Sequence, residues 1–369
     1  MREPVGLRRQ RILAAVESRG SARVSDLAAE LQVSAVTVRR DVEELAREGR
    51  LRRGHGVVRS ALAAQDLPAA PAPGGEAVAL VVPERHAYLY ESLYGARSVL
   101  EAAGKRIALH IVPQVAGAER PLVERALADG AAGLLLAPRW RTRADEENDH
   151  GWLAALDVPA VLMERRPRSG SVLHAMDSVC SDHAYGVHLA VRHLVGLGHR
   201  RIVFATRDDS PTARTLRSAC ARIAGAHPLV EEWAWTLCAP EAGHDGPYTA
   251  QETAELSALL REVGATAAVL HGDVDALMLV QRLADNGVRV PEDCSVVAYD
   301  DVVAGLGTTP LTAVAPPKAD VGRAAAELLL QRLDAPRGSG GPVRRTELLP
   351  TLSVRGSTRA RAGAAGQHE

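Results

Sequence analysis

The sequence predicts an α/β chain: an N-terminal winged helix-turn-helix, then a two-lobed, doubly wound parallel-sheet body. Three observations predict it. Ser34 opens an amphipathic helix that places Thr37, Arg39 and Arg40 on its first exposed turns. Ala61 to Gly75 is rich in Ala, Pro and Gly and has no apolar period, the signature of a tether. Beyond it, seven short apolar runs alternate with helical stretches. Strand–helix alternation implies a parallel sheet, and about 280 residues are too many for one such sheet, so two lobes are expected.

Within the N-terminal module, Leu7, Ile12, Leu13 and Val16 outline a first amphipathic helix that ends near Gly20. Ser25 is read as the cap of a short acidic helix start, Asp26 to Leu31. After a turn at Gln32-Val33, Ser34 caps a helix that runs to about Glu48 and stops at Gly49. Val38, Val42 and Leu45 share one face and point to a core, while Val36, Thr37, Arg39 and Arg40 flank or oppose it. Arg50 to Val58 reads as a small basic hairpin, or wing.

Such a helix pair lays its second helix in a DNA major groove. Arginine forks onto guanine, and a threonine methyl packs on a thymine methyl. Arg52, Arg53 and His55 suit phosphates, which position without reading sequence. Residues 1–60 hold 13 Arg against 8 Asp and Glu, whereas the whole chain of 369 residues has a net charge of −1. A basic module on a mildly acidic body fits an anionic polymer bound at one end. The DNA-contacting candidates are therefore Ser34, Val36, Thr37, Arg39, Arg40, Arg52, Arg53 and His55.

The apolar runs of the body are Val78 to Val82, Ile107 to Ile111, Gly133 to Leu136, Ala160 to Met163, Arg201 to Ala205, Ala267 to Leu270 and Ser295 to Tyr299. Doubly wound folds bind ligands beyond the carboxyl ends of their strands. Polar residues gather there: Glu84, Arg85 and His86; Glu164 and Arg165; Arg207, Asp208 and Asp209; Asp273; and Asp300 with Asp301. Carboxylates accept from adjacent hydroxyls and guanidiniums donate to them, which suits a polyhydroxylated ligand. Tyr88 and Tyr90 offer a face for a sugar ring. Asp182 reads equally as a ligand contact or as the cap of the helix His183 to Leu197.

Other classes find little support. No apolar run is long enough to span a membrane, and the N-terminus lacks the apolar core of a signal peptide, so a cytoplasmic protein is expected. Cys180, Cys220, Cys238 and Cys294 are far apart and read as buried thiols, with no metal site and no cofactor expected. There is no Walker loop, no GxGxxG after the first strand, no GxSxG elbow and no HExxH, so an enzyme is not expected and a doubly wound enzyme stays a remote alternative.

Two resemblances sharpen this. Ser25-Asp26-Leu27-Ala28, Val33-Ser34, Thr37-Val38-Arg39-Arg40-Asp41-Val42, Leu45, Gly49, Leu51, Arg53 and His55-Gly56, with Arg9, Arg11 and Ile12 before them, resemble the DeoR-type winged helix-turn-helix. Val57 stands where that family has a second glycine. Asp182 to Gly186, His193 to Ile202, Gly287 to Asp301, Thr309 to Val314 and Val354 to Thr358 resemble the LacI/GalR-type, periplasmic-binding-protein-like sensor. The resemblance implies chain crossings near residues 177–181, 309–315 and 345–351. It implies ligand roles for Arg165, Arg217, Asp273, Asp300 and the aromatic position at Tyr88 to Tyr90. Gly272 replaces a usual Asn, and Cys220 replaces a Gly usually three residues after the Arg. The LacI-type headpiece and hinge helix are replaced by the DeoR-like module and tether.

The expected organisation is a DNA-binding domain at 1–58, a linker at 59–76, a sensor at 77–358 and a disordered tail at 359–369. Lobe 1 is expected at about 77–179 and 313–345, and lobe 2 at about 180–310 and 350–358. The expected function is a homodimeric transcriptional regulator, a repressor, on a palindromic DNA operator, controlled by a sugar or sugar derivative. A regulator whose sensor is ligand-silent and serves only dimerisation is the alternative.

Overall fold

The computed structural model describes residues 8, 9, 11–13, 15, 16, 21–31, 33–47, 51–53, 57–60, 76–84, 87–113, 115, 117–237, 250–336 and 341–361. The tether call at 61–75, His55, Arg85, His86 and Cys238 lie outside them.

In the N-terminal module, residues 8, 9, 11–13, 15 and 16 are helical. They are followed by β1 (Ser21–Arg23), α1 (Val24–Glu30), α2 (Ala35–Arg47), β2 (Leu51–Arg53) and β3 (Val57–Ser60). The three strands form an antiparallel sheet in the order β1-β3-β2. β1 was not expected from the sequence, since three residues carry no readable period. Helix α1 starts at Val24, so Ser25 lies inside it and does not cap it; its hydroxyl donates to Asp26 at 3.0 Å. Arg59 and Ser60 finish β3 and do not belong to the linker. Ile12, Leu13, Val16, Leu27, Val38, Val42, Leu45, Leu51 and Val58 form one buried core, so the helical period at 38, 42 and 45 does point inward.

The body holds two six-stranded sheets. The first contains β4 (Ala77–Pro83), β5 (Arg106–Val112), β6 (Ala131–Leu136), β7 (Ala160–Met163), β8 (Asp177–Ser181) and β14 (Arg345–Leu348), all parallel, in the order β14-β8-β7-β6-β4-β5. The second contains β9 (Arg201–Thr206), β10 (Glu232–Leu237), β11 (Ala267–His271), β12 (Ser295–Tyr299), β13 (Thr312–Ala315) and β15 (Thr351–Ser353). Its order is β10-β9-β11-β12-β13-β15, and only β15 runs antiparallel to its neighbour. Strands β4 and β6, fully apolar runs, are buried almost throughout because helices cover both faces. The connecting helices are α3 (Ala87–Ala102), α4 (Glu119–Ala128), α5 (Arg143–Ala154), α6 (His183–Gly196), α7 (Pro211–Ala226), α8 (Ala250–Val263), α9 (Asp273–Asp285) and α10 (Lys318–Asp334).

The chain passes between the sheets after β8, after β13 and between β14 and β15. Helix α10 returns from the second sheet to pack on α3 and on β6, β7 and β8. It sits very close to α3: a Cβ on Gly322 would stand 1.8 Å from the Ser92 carbonyl oxygen, and one on Gly95 would stand 2.0 Å from that of Ala319. At the chain end, Arg359 donates its amide to Ser295 and Arg361 donates its amide to Leu197. Residues 359–361 are therefore held on the second lobe, in contrast to the disordered tail expected from 359 on.

Gly322→Ala is expected to destabilise the first lobe by about 3 kcal/mol, because backbone rather than a flexible side chain blocks the methyl group. The urea midpoint checks this, and an unchanged midpoint would contradict the packing.

Candidate functional site

The candidate DNA-reading surface is built on α2. Ser34 accepts from the Thr37 amide at 3.2 Å, and its hydroxyl lies 2.8 Å from the Thr37 hydroxyl. Ser34 thus acts as an N-cap that also orients Thr37. Val36 is 71 % exposed, and Arg39 and Arg40 are exposed on the same helix. Asp41 is buried and takes ion pairs from Arg8 at 2.6 Å and Arg9 at 3.2 Å. This couples the first helical segment to α2 and aims the exposed face outward. Arg52 and Arg53 lie on β2.

The cleft floor lies at the carboxyl ends of both sheets. Tyr88, on α3, has its hydroxyl 3.3 Å from both Glu164 and Ser181. Ser181 donates its hydroxyl to Glu164 at 2.8 Å. Glu164 is buried with a positive φ of 52°, and His183 Nε2 lies 3.7 Å away from its carboxylate. His183 Nδ1 is 3.0 Å from the Tyr299 hydroxyl. Burial, with lesser contributions from His271 and Arg165, pushes His183 down to about 3, so it is neutral at neutral pH. Burial likewise raises Glu164, against its bonds from Ser181.

The sequence-named residues divide. Tyr88 and Asp300 are linked on this floor through Lys318, which pairs with Asp300 and lies over the Tyr88 ring. Tyr90 is two residues further along a helix rather than on a loop, hence about 200° around its axis from Tyr88; burial and Glu84 raise it, apart from the Glu164 cluster. Arg165 is buried and gives its guanidinium to three main-chain carbonyls, those of Pro138, Glu164 and Ala137. It clamps the turns after β6 and β7. Burial lowers it to about 10. Asp182 caps α6 by accepting from the Tyr185 amide at 2.9 Å. Asp273 accepts the three main-chain amides of the neighbouring turn, from Val302, Val303 and Ala304, at 2.5–3.1 Å, besides that of Val274 at 2.9 Å. It holds the turn after β12.

Arg217 is not brought to the cleft. Its guanidinium lies 4.1 Å from the Trp235 ring centroid, beside the edge strand β10. The residue one helical turn earlier, Arg214, reaches from the second lobe to the main-chain oxygens of Trp140 and Arg141 in the first. Trp140 has a φ of 31°, and its indole donates to buried Asp149 at 2.8 Å. The helix register set by the Ser210 cap selects Arg214: Ser210 accepts from Ala213, which starts α7 at Pro211. Lys318, Glu91, Ser181 and Tyr299 were also missed. Serine, tyrosine and lysine in these strands and helix starts carry no pattern of their own.

At the mouth of the second sheet, Arg207 donates to Asp209 at 2.6 Å and to Asp275 at 3.0 Å, and its amide donates to His271 Nδ1 at 3.3 Å. That bond requires the neutral Nε2–H tautomer. Among the described residues no group of His, Cys, Asp and Glu could hold a metal ion, and no helix is long and apolar enough to cross a membrane. The described cysteines, Cys180, Cys220 and Cys294, are buried thiols.

Comparison with known proteins agrees with both parts. A DeoR-like helix-turn-helix domain model matches residues 8–62, and a periplasmic binding protein-like domain model matches residues 191–358. The chain is 30% identical over 208 residues to the HTH-type transcriptional repressor PurR of Haemophilus influenzae (strain PittEE), covering 55% of this chain and 58% of that protein. It is 26% identical over 347 residues to the arabinose metabolism transcriptional repressor of Geobacillus stearothermophilus, covering 90% of each. Among solved structures, a LacI transcriptional regulator from a Rhodococcus species superposes with a TM-score of 0.61 at 26% identity, over 77% of this chain and 99% of that one. The lac repressor dimer bound to operator and the anti-inducer ONPF shares the fold, with a TM-score of 0.62 at 21% identity, over 78% and 96% of the chains.

Two predictions follow from the buried polar groups. Asp273→Ala is expected to cost about 3 kcal/mol, since three amides lose their acceptor, with faster hydrogen exchange at Val302 to Ala304; unchanged exchange there would contradict the role. His183 has a folded pKa below its ordinary 6.5, so its contribution is fully present above that pH and is lost as pH falls toward 3. Relative to His183→Asn, the wild type should lose about 2 kcal/mol between pH 7 and pH 5. Urea unfolding at both pH values tests this, and a pH-independent difference would argue against a buried neutral His183.

Proposed function

Proceeding from a chain that joins a DeoR-like helix-turn-helix domain to a periplasmic-binding-protein-like domain, we propose that it is a DNA-binding transcriptional repressor controlled by a small-molecule effector. The observation that carries this reading is the likeness to a sugar-metabolism repressor over 90% of both chains. The outward face of α2, with Val36, Arg39 and Arg40, supports DNA as the partner. Arg40 is assigned to a base edge, and Arg52, Arg53 and His55 to phosphates. The effector is a sugar or sugar derivative that enters between the sheets, above Tyr88, Glu164 and Asp300. Two copies bind the half-sites of a palindrome as a homodimer in the cytoplasm. The effector acts through unequal affinity for two lobe arrangements, since equal affinity shifts nothing.

A second reading is a sensor that takes no ligand and serves dimerisation. It is favoured by the engagement of Asp273 with three amides and of Asp300 with Lys318. A rise in melting temperature with any sugar of a pentose and hexose panel excludes it.

Arg40→Ala is expected to weaken specific operator binding by roughly 1–3 kcal/mol and to relax preference at one base position. Fluorescence anisotropy on a DNA site recovered by sequencing the bound fragments measures this, and unchanged affinity would remove Arg40 from the interface.

A further inference from the structure

Lysine is almost absent from this chain: of 44 basic residues only Lys105 and Lys318 are lysines. Lys318 is also the one whose side chain is 3% exposed. It is the first residue of α10, immediately past the crossing from β13, and that helix packs on the first lobe. Its ammonium pairs with Asp300, which follows β12 of the second lobe. It lies 3.4 Å from Glu91 on α3 and 4.9 Å from the Tyr88 ring centroid. Burial pulls this ammonium down, but Asp300 and Glu91 more than offset it and hold Lys318 above the ordinary lysine value. The group is therefore charged, with one carboxylate in each lobe and an aromatic face beneath it.

This is the environment that a cleft offers to a bound cation or donor, and here the chain fills it from within. Asp300 has a positive φ of 98°, a conformation that non-glycine residues rarely adopt, and its carboxylate also accepts from the Asp301 amide at 3.0 Å. With the lobes together and Lys318 absent, Asp300 would be a largely buried charge without its ammonium partner. Such a charge is strongly unfavourable, and separating the lobes returns it to water. The pair therefore favours closure through the penalty its loss would impose. Arg214 also bridges the lobes, to Trp140 and Arg141.

We propose that Lys318 is a built-in bolt between the lobes: by occupying Asp300 it holds the body closed before any effector is bound, and an effector reaches Asp300 only by displacing it. The bolt concerns the two lobes alone, so it stands or falls separately from operator binding.

The test is the distance between spin labels on exposed positions of the two lobes, Ala144→Cys in the first and Ser218→Cys in the second, with Cys238→Ser, in the full chain. The protein is unfolded, dialysed and refolded to strip any carried ligand, then measured by pulsed electron paramagnetic resonance. The expected result is one short distance for the parent, a second and longer distance for Lys318→Met, and the short distance again for Lys318→Arg. A long distance in the parent, or a Lys318→Met profile superimposable on it, overturns the proposal. Should Lys318→Met fail to refold, Asp300→Asn decides: a longer distance supports the bolt, and an unchanged one overturns it.

Discussion

The structure depends on one constraint: the polar groups where the chain crosses between two parallel sheets must satisfy one another away from water. Parallel sheets turn all their carboxyl ends to one side, so the turns after β4, β6, β7, β9, β11 and β12 converge. What converges is polar. Glu164 takes Ser181 and Tyr88, His183 takes Tyr299, Asp273 takes three amides and Asp300 takes Lys318. A group left unmatched in such a place costs more than a matched one contributes. The floor of the cleft is thus a connected set, and a ligand that enters it rearranges existing partners rather than meeting bare acceptors.

The same constraint separates residues that hold the site from residues that face it. Arg165 and Asp273 are the clearest cases. Both stand at strand ends where a ligand contact is expected, and both are consumed by main-chain groups. They set the shape of the turns on which Glu164 and the Asp300–Asp301 pair sit. Gly272, with a φ of 88°, starts α9 with no side-chain cap, which leaves Asp273 to begin the helix and reach across to the neighbouring turn.

Much of the fold was legible because its elements are long apolar runs or capped periodic helices. The seven runs named from the sequence all lie on strands, and Val38, Val42 and Leu45 fall in one core. Elements that lack such a run were missed: β1 is three residues long, and β10, Glu232–Leu237, is a half-exposed edge strand. The site was less legible. The resemblance treats Tyr88 and Tyr90 as one aromatic position, whereas helix geometry parts them. The resemblance to the LacI/GalR-type sensor points to Arg217, whereas the start of α7 at the Ser210 cap brings Arg214 inward. Lys318 carries no motif at all, and its importance arises only from the crossing that sets it beside Asp300.

In the proposed function, one chain reads DNA, and a small molecule in its cleft decides whether it stays bound. The most direct measurement is release from DNA. Genomic fragments are captured on the immobilised full chain, washed, and eluted in turn with individual pentoses, hexoses and their derivatives, and each eluate is sequenced. The expected result is a discrete set of palindromic fragments that one sugar releases and its stereoisomers leave bound. Fragments without a common sequence, or a specific set that no sugar moves, would contradict it.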